Sequence, residues 1–549
     1  MNKFHFCILM ILVMLCGCTT TKTKVDLLVI NATLYTVDSG FSKKEAMAVS
    51  NGKIIATGTS ASLQQLYEAT EIVDATGKFI YPGFIDAHAH FLNYGQGLQS
   101  VDLVGTTSWE EIIQRVRTYA TTHPDGWLVG RGWDQNDWQQ KEFPDRRQLD
   151  SLFPTRPVFL SRVDGHAAIV NQEAIKLSGI TADRKITGGD IIQQNGVMTG
   201  VLIDNAIDMV TATMPAASTA ILKQALKDAE ANCVAAGLTT IDDCGLDHTA
   251  VDLIRQLQDA GELKIRLYVM LSDNEKNFNY LSEKGIIKTD RLNVRSFKAY
   301  ADGALGSRGA CLLEPYTDKR ETHGFLLSKR EHFDSLASKL YDKGFQLCTH
   351  AIGDSGNRVI LDTYSRLLQP GNDKRWRIEH AQVVSPSDFS KFGAFAIIPS
   401  VQPTHATSDM YWAANRLGKA RVKNAYAFRQ LLEQNGWIAL GTDFPVEDIN
   451  PLKTFYAAVV RKDTSGWPAE GFQTENALTT EQALRGMTIW AAKANFEEGE
   501  KGSLEKNKFA DFIILDEDLL SVPQEKILSV KVLATYINGQ KVYDHQTRK

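Results

Sequence analysis

The sequence predicts an α/β protein: a (β/α)8 TIM barrel carrying an inserted subdomain, with a small β-sandwich built from the two ends of the chain. Three observations lead there. Eight short apolar, strand-like runs alternate through the middle of the chain with segments whose apolar residues recur at helical spacing. Both ends are rich in β-branched runs broken by Asn, Gly and Asp. Isolated histidines, a lysine and an aspartate stand where several of the middle runs stop. At 549 residues, with 43% hydrophobic and 23% charged residues, the chain is long enough for one large core plus appended parts. A net charge of -5 without a dense basic run argues against nucleic acid as a partner.

In chain order, "MNKFHFCILMILVMLCGC" opens with one early Lys3 and an apolar stretch shorter than a comfortable membrane span. Its end, Leu15-Cys16-Gly17-Cys18, resembles the lipobox of bacterial lipoproteins. The resemblance implies a signal peptide over 1–17, lipid on Cys18 and a tether over 18–24. It also implies export, with outer-membrane or periplasmic residence if the host is diderm, since Thr19 follows the cysteine. The competing reading is an ordinary secretory signal or an uncleaved anchor.

Residues 25–80 read as antiparallel strands: "VDLLVINATLYTVD", "AMAVSNGKIIATG" and "EIVDATGKFIYPG". Residues 500–549 do the same, and "INGQKV" carries the Asn-Gly of a tight hairpin. These two segments are expected to form one composite sandwich. The span 81–499 between them supplies the barrel strands "FIDAHAH", "LTTIDDCG", "KIRLYVML", "VRSFKAYAD", "FQLCTHA", "WRIEHAQ", "FAIIPSVQP" and "WIALGTDFPV". Helices such as "AILKQALKDAEANCVAAG" and "REHFDSLASKLYDKG" separate them. The gap over about 95–220 is too long for one connection and holds "WLVGRGWDQ", "PVFLSRVDGHAAIV" and the hairpin "GGDIIQQNGVMTGVLI". It is expected to be a subdomain over the barrel mouth. Beyond the signal, Cys233, Cys244, Cys311 and Cys348 show no CxxC spacing and read as buried free thiols.

Chemistry gathers at strand ends, where TIM barrels place their active sites. In "FIDAHAHF" alternate side chains share a face, so His88 and His90 point together with Asp86 below them. Lys298 lies in strand four, His350 and His380 in strands five and six, and Asp443 follows strand eight. Such groups are costly to bury in an apolar barrel core unless paired, coordinated or hydrogen-bonded.

The order HxH, Lys, His, His, Asp resembles the metal-dependent amidohydrolase superfamily. The stretches "KAYADGALGSRGA", "GWDQNDW", "VDGHAAIVN" and "GTDFPVEDINP" resemble its N-substituted formamide deformylase-like branch, amidohydrolase family 3. The resemblance implies a divalent metal, one or two ions, on His88, His90, Lys298, His350, His380 and Asp443. It implies N6-carboxylation of Lys298 as a bridge between two metals; the alternative is one metal, with Lys298 paired to Asp302 or bonded to substrate. Neutral imidazoles suit zinc, and a bound cation brings the pKa of water towards ~7. Asp443 is then the general acid/base of an amide hydrolase, with His350 beside it. Trp133, Asp134 and Trp138 resemble the family's pocket wall, or else the tryptophans hold the subdomain together. His166 and His405 polarise a substrate carbonyl or are structural; Arg162 and Arg308 are further candidates for binding a carboxylate.

The resulting function is hydrolysis of a non-peptide carbon–nitrogen bond in a small-molecule N-acyl, N-formyl or cyclic amide. Alternatives are an esterase or lactonase on the same site, or a lipid-anchored protein that binds a ligand without turnover. Membrane contact is expected only through the lipid anchor, and oligomeric state is open, a homodimer being one option.

Overall fold

A computed structural model describes residues 21–547. The expected signal peptide over 1–17, Cys18 and the start of the expected tether lie outside the described residues. Among those residues no helix is long and apolar enough to cross a membrane.

Eight parallel strands form a nearly closed barrel: Phe84–Ala89, Leu238–Leu246, Arg266–Ser272, Leu292–Tyr300, Gln346–Ala351, Arg377–His380, Ile398–Val401 and Ala439–Leu440. Each overlaps one of the eight apolar runs, strands two and three ending one residue later and strand four starting two residues earlier than the runs. Strand eight returns to strand one through main-chain hydrogen bonds, Asp443 N–H to His88 O (2.7 Å) and His90 N–H to Phe444 O (2.8 Å). Asp86 fastens the same seam, accepting from Thr442 N–H (2.9 Å) and Oγ1 (2.7 Å). Gly441 allows this approach, because a Cβ there would sit 2.5 Å from His88 N.

The barrel interior is not the apolar filling expected. Arg377, fully buried, donates to Asp242 (2.9 Å), and Asn495 donates to the other oxygen of Asp242 (2.6 Å). Glu379 and Asp86 are buried in the same interior. Charges are tolerated there because each is paired or hydrogen-bonded. Apolar packing lies mainly between strands and helices; Thr219–Ala235, for example, buries Ala225, Leu226, Ala229, Cys233 and Val234.

The connection after strand one contains a six-stranded sheet in the order Gly189–Gln194, Val197–Asp204, Ala167–Val170, Val158–Arg162, Leu128–Trp133, Val101–Asp102. Its first hairpin turns at Asn195 and Gly196, both at positive φ, as Asn-Gly turns require. Chain ends meet where Phe79–Pro82 pairs antiparallel with Phe512–Leu515. Two sheets enclose Leu27, Val29, Met47, Val49, Ile80, Phe512, Ile514 and Tyr536. One expectation changes here. Thr23–Ile30 pairs in parallel with Tyr67–Asp74, not antiparallel. The helix Ser60–Leu66, capped by Thr59, supplies the crossover that parallel pairing needs. Cys233, Cys244 and Cys348 are buried free thiols, and Cys311 is half-buried and free.

Candidate metal centre

The strands' C-terminal rim opens into a cavity of ≈ 610 Å3 lined by His90, Lys298, His350, His380, His405 and Asp443, with the inserted sheet forming its outer wall. Alternation brings His88 and His90 to one face, with ring centroids 5.7 Å apart. Asp443 faces both: its Oδ1 lies 3.6 Å from His88 Nε2 and 3.2 Å from His90 Nε2. The ring of His380 lies 4.8 Å from that of His88 and 4.5 Å from that of His350. Lys298 Nζ is 3.1 Å from His88 Nε2. The six predicted residues therefore share one end of the barrel.

Two of them arrive by backbone strain. His380 and Asp443 have φ of 72° and 65°, a left-handed conformation uncommon for residues other than glycine and concentrated at functional sites. This explains how neighbours Glu379 and His380 both reach His88, which alternation in a regular strand forbids. His88 Nδ1–H donates to Glu379 Oε2 at 2.6 Å, and both side chains are fully buried. A carboxylate only accepts, so this bond places the proton on Nδ1 and leaves Nε2 as a lone pair.

Electrostatics agree with a site for a cation. Burial, with Lys298 alongside, pushes His88 down to about 4. Burial and the neighbouring cationic groups hold His350 and His380 well below the ordinary histidine range. All three imidazoles are neutral near pH 7. Burial alone would raise Asp443, yet His405 and His90 hold it well below the usual carboxylate range. His350 Nε2, His380 Nδ1 and Asp443 Oδ1 are buried without a hydrogen-bond partner. Unpartnered buried polar atoms are rare. Three in one cavity, of donor types that suit zinc and its neighbours, fit a divalent cation.

The other predicted residues divide. Asp134 and His166 line the cavity, but Asp134 is held by Arg162 (2.5 Å). His166 Nδ1 contacts Asp204 Oδ1 at 2.5 Å, and its ring lies 5.1 Å from that of His350. His405 Nε2 is 3.2 Å from Asp443 Oδ2. Trp133 is a correction: it is fully buried in the core of the inserted sheet, its indole donating to Leu160 O (2.8 Å). Trp138 likewise donates to Thr106 O (3.1 Å). Arg162 is neutralised by Asp134 and Asp164, and Arg308 by Asp318. Lys298 makes no pair with Asp302, which instead accepts N–H bonds from Ile352 (2.9 Å), Gly353 (2.8 Å) and Cys311 (2.8 Å). Sequence reasoning missed Glu379, Asp204, Glu447 and Tyr300. For Glu379 the signal was present: an acid inside the buried strand "RIEH".

Fold and site define a hydrolase that works with a divalent metal. Residues 71–543 match the model of the amidohydrolase family, and the chain belongs to that family. Protein LONG AFTER FAR-RED 3 of Arabidopsis thaliana is 34% identical over 537 residues, covering 94% of this chain and 91% of that protein. The N-substituted formamide deformylase of Arthrobacter pascens is 26% identical over 549 residues, covering 94% and 98%. Among solved structures, an uncharacterized metal-dependent hydrolase from Pyrococcus horikoshii OT3 is similar with a TM-score of 0.75 and 28% identity, over 91% of this chain and 99% of that one.

Proposed function

We propose that this amidohydrolase cleaves a non-peptide carbon–nitrogen bond in a small-molecule amide of N-acyl, N-formyl or cyclic type. The observation that carries the reading is the meeting of His88, His90 and Asp443, with unpartnered buried atoms of His350 and His380 beside them. His88, His90, His350, His380, Lys298 and Asp443 would hold one or two divalent cations, zinc being best suited to the imidazoles. When bound, the cation supplies Lewis acidity, drawing the pKa of water towards ~7 and polarising a carbonyl oxygen.

The chain's own groups do the rest. Glu379 fixes the tautomer of His88 so that Nε2 faces the centre. Asp443, ionised and at the middle of the imidazoles, takes the proton of the attacking water and returns it to the departing nitrogen, which leaves as the free amine. Lys298, buried beside His88, is the residue for carboxylation. Burial lowers it, but Tyr300 and the neighbouring acids hold it above the ordinary lysine range. It must therefore first give up its ammonium proton before Nζ adds carbon dioxide, loses a second proton and becomes an anionic ligand. The N-substituted formamide deformylase relative makes N-formyl compounds the first class to try. Export as a lipoprotein through Cys18 is proposed from sequence alone.

The test is a panel of N-formyl and N-acyl amines with matched esters of the same acyl group, assayed with and without added divalent metal. Hydrolysis of amides, abolished by chelator and by Asp443→Asn with cation content retained, supports the assignment. Faster turnover of every matched ester moves the assignment to an esterase. No turnover by metal-loaded protein leaves the binding-protein alternative standing.

A further inference from the structure

His405 stands outside the six-residue set, on the first turn of the helix Pro403–Asp409 that follows strand seven. Its construction matches that of His88. His88 directs Nδ1 to a carboxylate, Glu379, and Nε2 towards Asp443 Oδ1. His405 directs Nδ1 to a carboxylate, Glu447 Oε1 at 2.9 Å, and Nε2 to Asp443 Oδ2 at 3.2 Å. A carboxylate on the far ring nitrogen is the usual support of a metal-ligating histidine, because it fixes tautomer and ring orientation. Ser408 Oγ, 2.6 Å from the same Glu447 oxygen, fastens that support.

A second observation points to the same place. His380 has a buried ring nitrogen without a partner, and its ring is stacked on that of His405 at 5.9 Å. Ligand atoms of His380, His405 and Asp443 all lie within 4.8 Å of one another, as do those of His88, His90 and Asp443. The two trios share only Asp443, whose Oδ1 faces His90 and whose Oδ2 faces His405, each at 3.2 Å.

We propose that His405 is a metal ligand, forming with His380 and Asp443 a second divalent-cation site, and that Asp443 bridges it to the His88–His90 site. This rests on the reading of the cavity as a metal centre. A carboxylate offers about four lone-pair positions, so Asp443 can hold the second cation through Oδ2 while Oδ1 faces His88 and His90. His405 thereby ties the second cation to the helix that follows strand seven.

Full-length protein stripped of metal and titrated with cobalt(II) tests this by elemental analysis and visible absorption, alongside thermal melts. Wild type is expected to bind two cobalt ions per chain and His405→Asn one, with loss of part of the ligand-field spectrum. Glu447→Gln, which leaves the imidazole in place, is expected to weaken the second ion about 10- to 100-fold; it keeps the test open if His405→Asn fails to fold. Wild type binding a single ion overturns the second site. So does unchanged cobalt content and spectrum in a folded His405→Asn variant. Wild type binding no cobalt at all removes the hydrolase reading as well, which separates the two failures.

Discussion

Replacing Glu379 by Gln tests whether the chain's support of His88 is electrostatic. The side chains have nearly the same shape, and both can accept from His88 Nδ1–H. Glu379 is ionised in the folded protein: burial opposes this, but His88 and Arg377 hold it below the usual carboxylate range. Its bond to His88, 2.6 Å and fully buried, belongs to the charge-assisted class, worth about 1.5–3 kcal/mol against about 1 for a neutral one. The substitution should therefore cost about 1–2 kcal/mol of ligand orientation and basicity. At about 1.4 kcal/mol per tenfold, the cation's Kd rises about 5- to 30-fold, overlapping the 10- to 100-fold typical of lost support behind a ligand. Arg377 is not orphaned by the change, because Asp242 still accepts from it at 2.9 Å. Folding stability should consequently fall less than cation affinity. The assay is competition between protein and a chromophoric chelator for zinc(II) or cobalt(II), with urea melts of the metal-free variant in parallel. A Kd within twofold of wild type, together with a large loss of stability, would refute the reasoning by making Glu379 a purely structural anion.

Other consequences follow from packing and titration. Gly441→Ala places a methyl 2.5 Å from His88 N and 2.8 Å from Asp86 Oδ1. Urea melts should show a loss of about 1–3 kcal/mol, and wild-type stability would mean the barrel seam is looser than described. Trp133→Phe should lower the melting temperature by losing the indole bond to Leu160 O and leave KM unchanged; a raised KM would return Trp133 to the cavity wall. Asp243 is held up to about 7 by burial, against the backbone N–H groups of Leu92 and Phe91. Since this exceeds the unfolded value near 3.9, the native state binds the extra proton, and stability falls as pH rises from about 4 to 7, then levels. Asp243→Asn should remove about 1.4 kcal/mol per pH unit of that slope, read from urea midpoints; an unchanged slope refutes it. Cys18→Ser should abolish incorporation of radiolabelled palmitate and move the protein out of the membrane pellet, while labelling that persists overturns the lipobox reading.

The barrel was legible because most of its strands lie in short, largely apolar runs that alternate with helical patterns, and the hairpins at Asn195-Gly196 and Asn538-Gly539 because their positive φ demands those residue types. Strand direction near the N-terminus was less legible. Whether Tyr67–Asp74 runs parallel to Thr23–Ile30 depends on what the connection does, and the short helix Ser60–Leu66 carries too little periodicity to announce itself. For the site, alternation was sufficient for His88 and His90, which belong to one continuous strand and the residue just beyond it. It failed for Glu379. A regular strand sends Glu379 and His380 to opposite faces, and only the left-handed backbone at His380 lets both meet His88. Asp443 sits on a similar bend one residue past Thr442, whose hydroxyl is bound to Asp86. Arg162 misled for a different reason. A buried guanidinium reads as a ligand anchor until its neutralising partners, Asp134 across 28 residues and Asp164 two residues on, are placed beside it. Side-chain direction thus follows from sequence while the backbone is regular and is lost where it bends. This barrel puts its reactive groups at those bends, so the types and order of the ligands could be read from the chain, whereas their supporting carboxylates needed the fold.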